Sequence, residues 1–107
     1  MIIVTSENIP GYKITSYKGI AQGSTIQCKN IGRDIGSSFR QLVGGEMESY
    51  TKMMNEARDI ATNRMIENAE KLGSNAVICF RYSSSAVMAG AAEILAYGTA
   101  VTIEKAE

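Results

Sequence analysis

One long amphipathic pattern constrains the fold of this chain more than any other feature. Between residues 46 and 72, apolar side chains recur every three or four positions, which is the spacing of one face of an α-helix. The stripe consists of Tyr50, Met54, Ala57, Ala61, Met65, Ala69 and Leu72. Gly73 follows where helices often place a left-handed residue, so the pattern predicts one helix over 46–72. Such a helix is roughly 40 Å long at 1.5 Å per residue.

Segments with strand character lie on both sides of this helix. A weaker helical pattern at 33–43, followed by Gly44-Gly45, predicts a short helix before the long one. The predicted strands cover 1–5, 12–27, 76–88 and 93–104. The resulting order, β-β-α-α-β-β, predicts an α+β fold in which an antiparallel sheet packs on one long and one short helix.

The strand patterns also make predictions about single residues. Simple alternation over 76–88 places Ile78 and Phe80 on one face of the sheet, and Cys79 and Arg81 on the other. The glycines at 19 and 23 interrupt the second strand and predict bulges or bends there.

The composition bounds the class of protein. A chain of 107 residues with 45% hydrophobic and 21% charged residues fits a single globular domain over 1–107. Eleven basic residues balance eleven acidic ones, so we expect no nucleic-acid or membrane partner. The start of the sequence resembles no secretory signal, and we therefore expect a cytoplasmic protein with reduced thiols.

The chain has no histidine, which removes the commonest general base and the commonest neutral metal ligand. Serine and cysteine nucleophiles that depend on histidine are excluded as well. Carboxylates such as Glu56 and Asp59 remain available, but on the long helix they are typical of a solvated face. We expect no enzymatic activity, no catalytic residue and no cofactor.

Two sets of residues are candidates for binding. Arg33, Arg40 and Arg81 would suit a small anion or metabolite, because guanidinium groups match carboxylate and phosphate. The alternative for Arg33 is an ion pair with Asp34. Cys28 and Cys79 are candidate ligands for a soft metal, but two thiolates supply at most half of a tetrahedral site within one subunit. For Cys79 the alternative is a buried structural thiol.

Several motifs in combination resemble the YbjQ-like family. They are "RDIGSSFRQLVGG" at 33–45, Tyr50, "EARDIA" at 56–61, "AEKLGSNAVI" at 69–78 and "GTAV" at 98–101. The family consists of small bacterial and archaeal proteins described as heavy-metal-binding. The resemblance implies a dodecin-like subunit and a homopentameric ring, and it supplies no metal-ligand motif in this chain.

The pattern of apolar residues predicts self-association independently of this resemblance. The long helix exceeds the size of a compact domain, and it covers only one face of a sheet that is apolar on both. We therefore expect a homo-oligomer, for which the resemblance selects five subunits. Its expected function is to bind a small anion or metabolite at subunit junctions, with heavy-metal binding through Cys28 and Cys79 as the alternative.

Overall fold

The computed structural model describes residues 1–28 and 47–107. In these ranges the chain forms four strands and one helix. They are β1 (Ile2–Ile3), β2 (Tyr12–Cys28), α1 (Met47–Lys71), β3 (Ala76–Met88) and β4 (Ala91–Lys105). The predicted long helix and the three long strands are confirmed, and β4 begins two residues earlier than its pattern predicted. The short helix predicted at 33–43 lies outside the described residues.

The strands form a single sheet in the order β1-β3-β4-β2. The β3–β4 and β4–β2 pairs are antiparallel, whereas β1 lies parallel to β3. The sheet is therefore mixed, and the prediction of an antiparallel sheet was wrong for β1. A strand of only two residues carries too little pattern to indicate its direction.

Helix α1 packs on one face of the sheet through the predicted stripe. Ala57, Ala61, Met65 and Ala69 are fully buried. They meet small or medium-sized sheet residues in one core, namely Ala21, Val77, Ile94, Ala96 and Ala100. Because most of these side chains are alanines, the helix lies very close to the sheet.

The closest approach falls at Gly23 of β2. A Cβ atom at this position would collide with the backbone nitrogen of Met65 and would lie 2.6 Å from the Ala61 carbonyl oxygen. The pairing register does not shift at Gly23, but it shifts between Tyr17 and Gly19. Of the predicted bulges or bends, a bulge is thus confirmed near Gly19, whereas Gly23 lies in regular pairing and its lack of a Cβ admits the helix.

A second, smaller core covers part of the opposite face. Ala76, Ile78, Val101 and Ile103 are buried there beneath Ile9, which lies in the segment that connects β1 to β2. The chain therefore covers one end of this face itself. Toward the other end the sheet projects beyond this cover, and residues 81–90 are all exposed.

Gly73 ends α1 as the sequence predicted. It has a φ of 82°, its N–H donates to the Glu70 carbonyl, and the Ser74 N–H donates to the Ala69 carbonyl. These two bonds form a Schellman motif, which satisfies carbonyls at the end of the helix. The Asn75 side chain then bonds both the N–H and the carbonyl of Ile103, which attaches the start of β3 to β4.

A β-bulge at Cys79 changes which residues of β3 share a face. Cys79 has a φ of 55°, and the register with β4 shifts by one residue between Ile78 and Arg81. Phe80 consequently packs against the helix core, whereas Ile78 and Cys79 belong to the opposite core. The prediction that Ile78 and Phe80 share one face was wrong, because simple alternation does not allow for an inserted residue.

Candidate functional site

Arg81 follows the bulge directly, and backbone carbonyls hold its guanidinium group. Its Nη1 atom donates to the carbonyl oxygen of Thr5 at 3.0 Å and to that of Phe80 at 2.8 Å. These contacts bring the side chain toward the β1 side of the sheet. Arg81 is exposed, and within residues 1–28 and 47–107 it forms no ion pair with a carboxylate. The positive charge is therefore fixed in position but not neutralised by these residues.

A row of three polar or aromatic residues crosses the sheet at this level. Arg81 lies opposite Tyr97 on β4, and Tyr97 lies opposite Gln22 on β2. Directly opposed residues project from the same face of a sheet, so the three side chains share the face away from α1. All three are exposed. The row offers a cation, an aromatic ring and an amide to a bound molecule.

The sequence alone did not identify Tyr97 and Gln22 as candidates. Their relation to Arg81 depends on the register of three strands, and the bulge at Cys79 sets part of that register. The alternation of apolar residues in β4 correctly predicted that Tyr97 and Val101 project from one face of the sheet and Ala96 and Ala100 from the other. It carried no information about which residue of β3 lies opposite Tyr97.

Cys79 has a free thiol and is partly buried. It packs at the border of the core that contains Ile78, so the alternative of a buried structural thiol is only partly met. Its N–H donates to the Ser6 carbonyl at 3.0 Å, which ties the bulge to the segment after β1.

The structure does not bring Cys28 and Cys79 together within one chain. Cys28 pairs with Ala91, whereas the bulge that contains Cys79 lies opposite Gly98. Seven residues of β4 separate these two levels, which corresponds to roughly 23 Å at 3.3 Å per residue. The backbone positions of Cys28 and Cys79 are therefore too far apart for a single ion to bridge the two residues within one chain. In the part of the chain that the structure describes, no group of three or more Cys, Asp and Glu side chains is arranged to hold a metal ion.

Arg33 and Arg40 lie outside the described residues. Of the three predicted anion-binding arginines, only Arg81 can be placed. Among the described residues, no helix is both long and apolar enough to cross a membrane.

The fold and this surface define a class of protein: a small α+β domain with a helix on one face of a mixed sheet and an exposed polar row on the other. The chain belongs to the YbjQ family, which is described as "Putative heavy-metal-binding" and whose match extends over residues 1–104. The resemblance found in the sequence motifs is thereby confirmed.

Relatives of similar length share more than half of the sequence. A UPF0145 protein of Clostridium perfringens is 58% identical over 106 residues, covering 99% of this chain and 100% of the relative. A UPF0145 protein of Thermotoga maritima is 56% identical over 105 residues, covering 98% of this chain and 99% of the relative.

A crystal structure from Pediococcus pentosaceus is similar in fold. It represents a protein with unknown function that belongs to the DUF74 family. The TM-score is 0.60 at 18% sequence identity, and the match covers 97% of this chain and 98% of that one. This likeness supports the fold alone.

Proposed function

We propose that this protein is a homo-oligomeric binding domain that takes a small anion or anionic metabolite at the junctions between its subunits. The observation that carries the proposal is the position of Arg81. Its guanidinium group is held by two backbone carbonyls, is exposed, and has no carboxylate partner among the described residues. A cation arranged in this way can accept a ligand without first breaking an ion pair.

The geometry favours an oxyanion with two oxygens that can accept parallel hydrogen bonds, such as a carboxylate or a phosphate. A guanidinium group carries five N–H donors, and the Thr5 and Phe80 carbonyls engage only Nη1. The remaining donors, on Nε and Nη2, form the edge that binds carboxylate or phosphate in a bidentate manner. Tyr97 and Gln22 in the same row would contact the rest of a metabolite.

A junction between subunits would provide the concave site that the sheet face of one chain lacks. The row lies on an open sheet surface, and small-molecule sites are usually concave. A neighbouring subunit would close the site, and Arg33 and Arg40 are proposed to add positive charge there. The proposed homopentamer and its dodecin-like subunit arrangement rest on the family resemblance. The proposal includes no catalytic step and places the protein in the cytoplasm, where the free Cys79 thiol stays reduced.

Isothermal titration against a panel of carboxylates, phosphates and nucleotides tests this proposal. We expect heat for at least one class and at least a tenfold loss of affinity in Arg81→Gln. Arg58→Gln is the matched control, because Arg58 lies on α1, where it bonds the Asn55 side chain. The proposal fails if no compound gives heat, or if the two variants bind equally well.

Heavy-metal binding is the second candidate, and the family description favours it. Because the separation of Cys28 and Cys79 rules out a shared ion within one chain, the thiols of different subunits would have to meet. Metal analysis of protein purified without chelators, compared with a Cys28→Ala/Cys79→Ala variant, tests this alternative. Equal metal content in the two proteins would exclude ligation by these thiols.

A further inference from the structure

The outer edge of β3 loses its cover at Phe80. Up to that point the segment after β1 bonds to it: the Val4 N–H donates to the Val77 carbonyl, and the Phe80 N–H donates to the Val4 carbonyl. Beyond Phe80, no strand among residues 1–28 and 47–107 pairs with this side of β3. Because backbone direction alternates along a strand, the N–H and carbonyl groups of Tyr82, Ser84 and Ala86 point outward there. These three residues form what we call the β3 edge.

The opposite border of the sheet is the outer side of β2. Here the Gln22 N–H donates to the Asn68 side chain at 2.9 Å, and the Ser24 carbonyl accepts from Arg64 at 2.7 Å. Both backbone groups therefore point away from β4, and alternation gives the same direction to Ile20 and Ile26. These four residues form the β2 edge. Side chains of α1 act there as substitutes for a strand partner.

In the described part of the chain, the β3 edge carries none of the features that usually prevent strands from pairing between molecules, and the β2 edge is covered only where Asn68 and Arg64 bond Gln22 and Ser24. Exposed edges are commonly protected by lysine, by inward-pointing charges or by proline. Residues 19–28 ("GIAQGSTIQC") and 82–88 ("YSSSAVM") contain no charged residue and no proline. Large apolar side chains are exposed on the same strands, with Ile20 at 72%, Ile26 at 56% and Met88 at 66%. The two edges are therefore suited to pairing with strands of other molecules, which at the β2 edge would replace the bonds from Asn68 and Arg64.

We propose that the β3 edge of one subunit pairs with the β2 edge of a second copy of this chain, which continues the sheet from subunit to subunit. The two edges lie on opposite borders of the same sheet, so each subunit offers one edge to each of two neighbours. A head-to-tail contact of this kind closes into a ring when the rotation between subunits allows it. This inference rests on the proposed homo-oligomer and identifies its interface.

Proline substitutions at the two edges give a direct test, because proline removes the outward N–H. Ser84→Pro blocks the β3 edge, and Ile26→Pro blocks the β2 edge. By size-exclusion chromatography with light scattering, we expect the wild type to be oligomeric and each variant to be a monomer. An equimolar mixture should form dimers and nothing larger, because one intact edge of each kind remains. Ser84→Ala and Ile26→Val keep the N–H groups and should retain the wild-type mass.

The other outcomes distinguish a failure of the proposed strand pairing from a failure of the proposed homo-oligomer. If one proline variant keeps the wild-type mass while the other is a monomer, the contact joins two identical edges, and the proposed pairing is wrong. If both keep the wild-type mass, the edges are not the interface, although the assembly stands. A monomeric wild type would overturn the assembly and this inference together. Circular dichroism checks the fold, and Ser84→Lys and Ile26→Lys replace any proline variant that does not fold.

Discussion

Glycine is favoured at position 73 by its positive φ, and not by a lack of space for a side chain. Its φ of 82° places it in the region that glycine enters freely, and apart from its chain neighbours no atom among the described residues lies within 4 Å of the position that a Cβ would occupy. Any cost of a substitution therefore reports conformational strain rather than collision. The helix stop was predictable from the sequence because the glycine coincides with the end of a strong periodic pattern.

Replacing Gly73 should affect stability according to how well the new residue tolerates positive φ. We expect Gly73→Val to lower the free energy of unfolding by more than about 1 kcal/mol, because β-branched residues enter this region poorly. Gly73→Asn should cost less, since asparagine is the residue next most often found at this position. Urea denaturation at fixed protein concentration provides the measurement. Equal and negligible losses for the two variants would contradict this account of the helix end.

Asn75 has a role that its sequence position did not reveal. Its side chain accepts from the Ile103 N–H at 2.8 Å and donates to the Ile103 carbonyl at 3.1 Å, both partly buried. The side chain thus mimics a strand residue where β3 begins. The sequence predicts only a turn at Asn75, because asparagine is common in turns for other reasons.

We expect Asn75→Ala to destabilise the protein by about 1–3 kcal/mol, since it leaves the Ile103 backbone groups without their partner. Asn63→Ala is the control: Asn63 is exposed on α1, where alanine is the better helix former. Its unfolding midpoint in urea should be unchanged or slightly higher. A similar loss in both variants would show that the paired hydrogen bonds of Asn75 are not what stabilises this junction.

At the scale of whole elements, strong periodic patterns were reliable and local irregularities were not. The helix could be predicted because it keeps one period over its 25 residues. The three long strands could be predicted because turn residues bound each extended segment, although their alternation is interrupted. The bulge at Cys79 could not, since cysteine has no particular preference for a φ of 55°. That single inserted residue moves Phe80 to the helix face. The sequence therefore predicts Arg81 as a binding residue but does not predict that Tyr97 and Gln22 lie beside it.

The contact between α1 and β2 yields a prediction for Gly23. An added methyl group would meet the backbone of Met65 and Ala61, which cannot rotate away as a flexible side chain would. The helix and the strand must then separate along a well-packed core. We expect Gly23→Ala to lower the free energy of unfolding by about 1–3 kcal/mol or more, the usual range for overpacking.

Ser24→Ala provides the neighbouring control for Gly23→Ala. Ser24 is exposed, so this change should shift the free energy of unfolding by less than about 0.5 kcal/mol. Thermal and urea unfolding of the two variants would be compared at the same protein concentration. If Gly23→Ala is as stable as the wild type, the close approach of α1 to β2 is not as described.

At the scale of the whole molecule, the described part of the chain is extended rather than compact. Its described residues measure 57 × 23 × 15 Å, with a radius of gyration of 17.3 Å. A compact chain of this length would have a radius of gyration of about 13 Å. The expectation that the sheet face opposite α1 is uncovered was too broad, because Ile9 covers one end. The projecting end remains open, with Ile26 56% exposed and Val87 51% exposed.

These dimensions predict that stability depends on protein concentration. A subunit that leaves much of its sheet exposed gains stability when a neighbour covers that surface, and this gain follows mass action. We expect the Tm to fall by several degrees on roughly hundredfold dilution within the micromolar range. Differential scanning fluorimetry, with light scattering at each concentration, provides the measurement. A constant Tm together with a mass of 11.5 kDa would contradict the proposed assembly. A constant Tm at a larger mass would instead mean that the subunits stay associated until they unfold, because dilution then does not reach the dissociation constant.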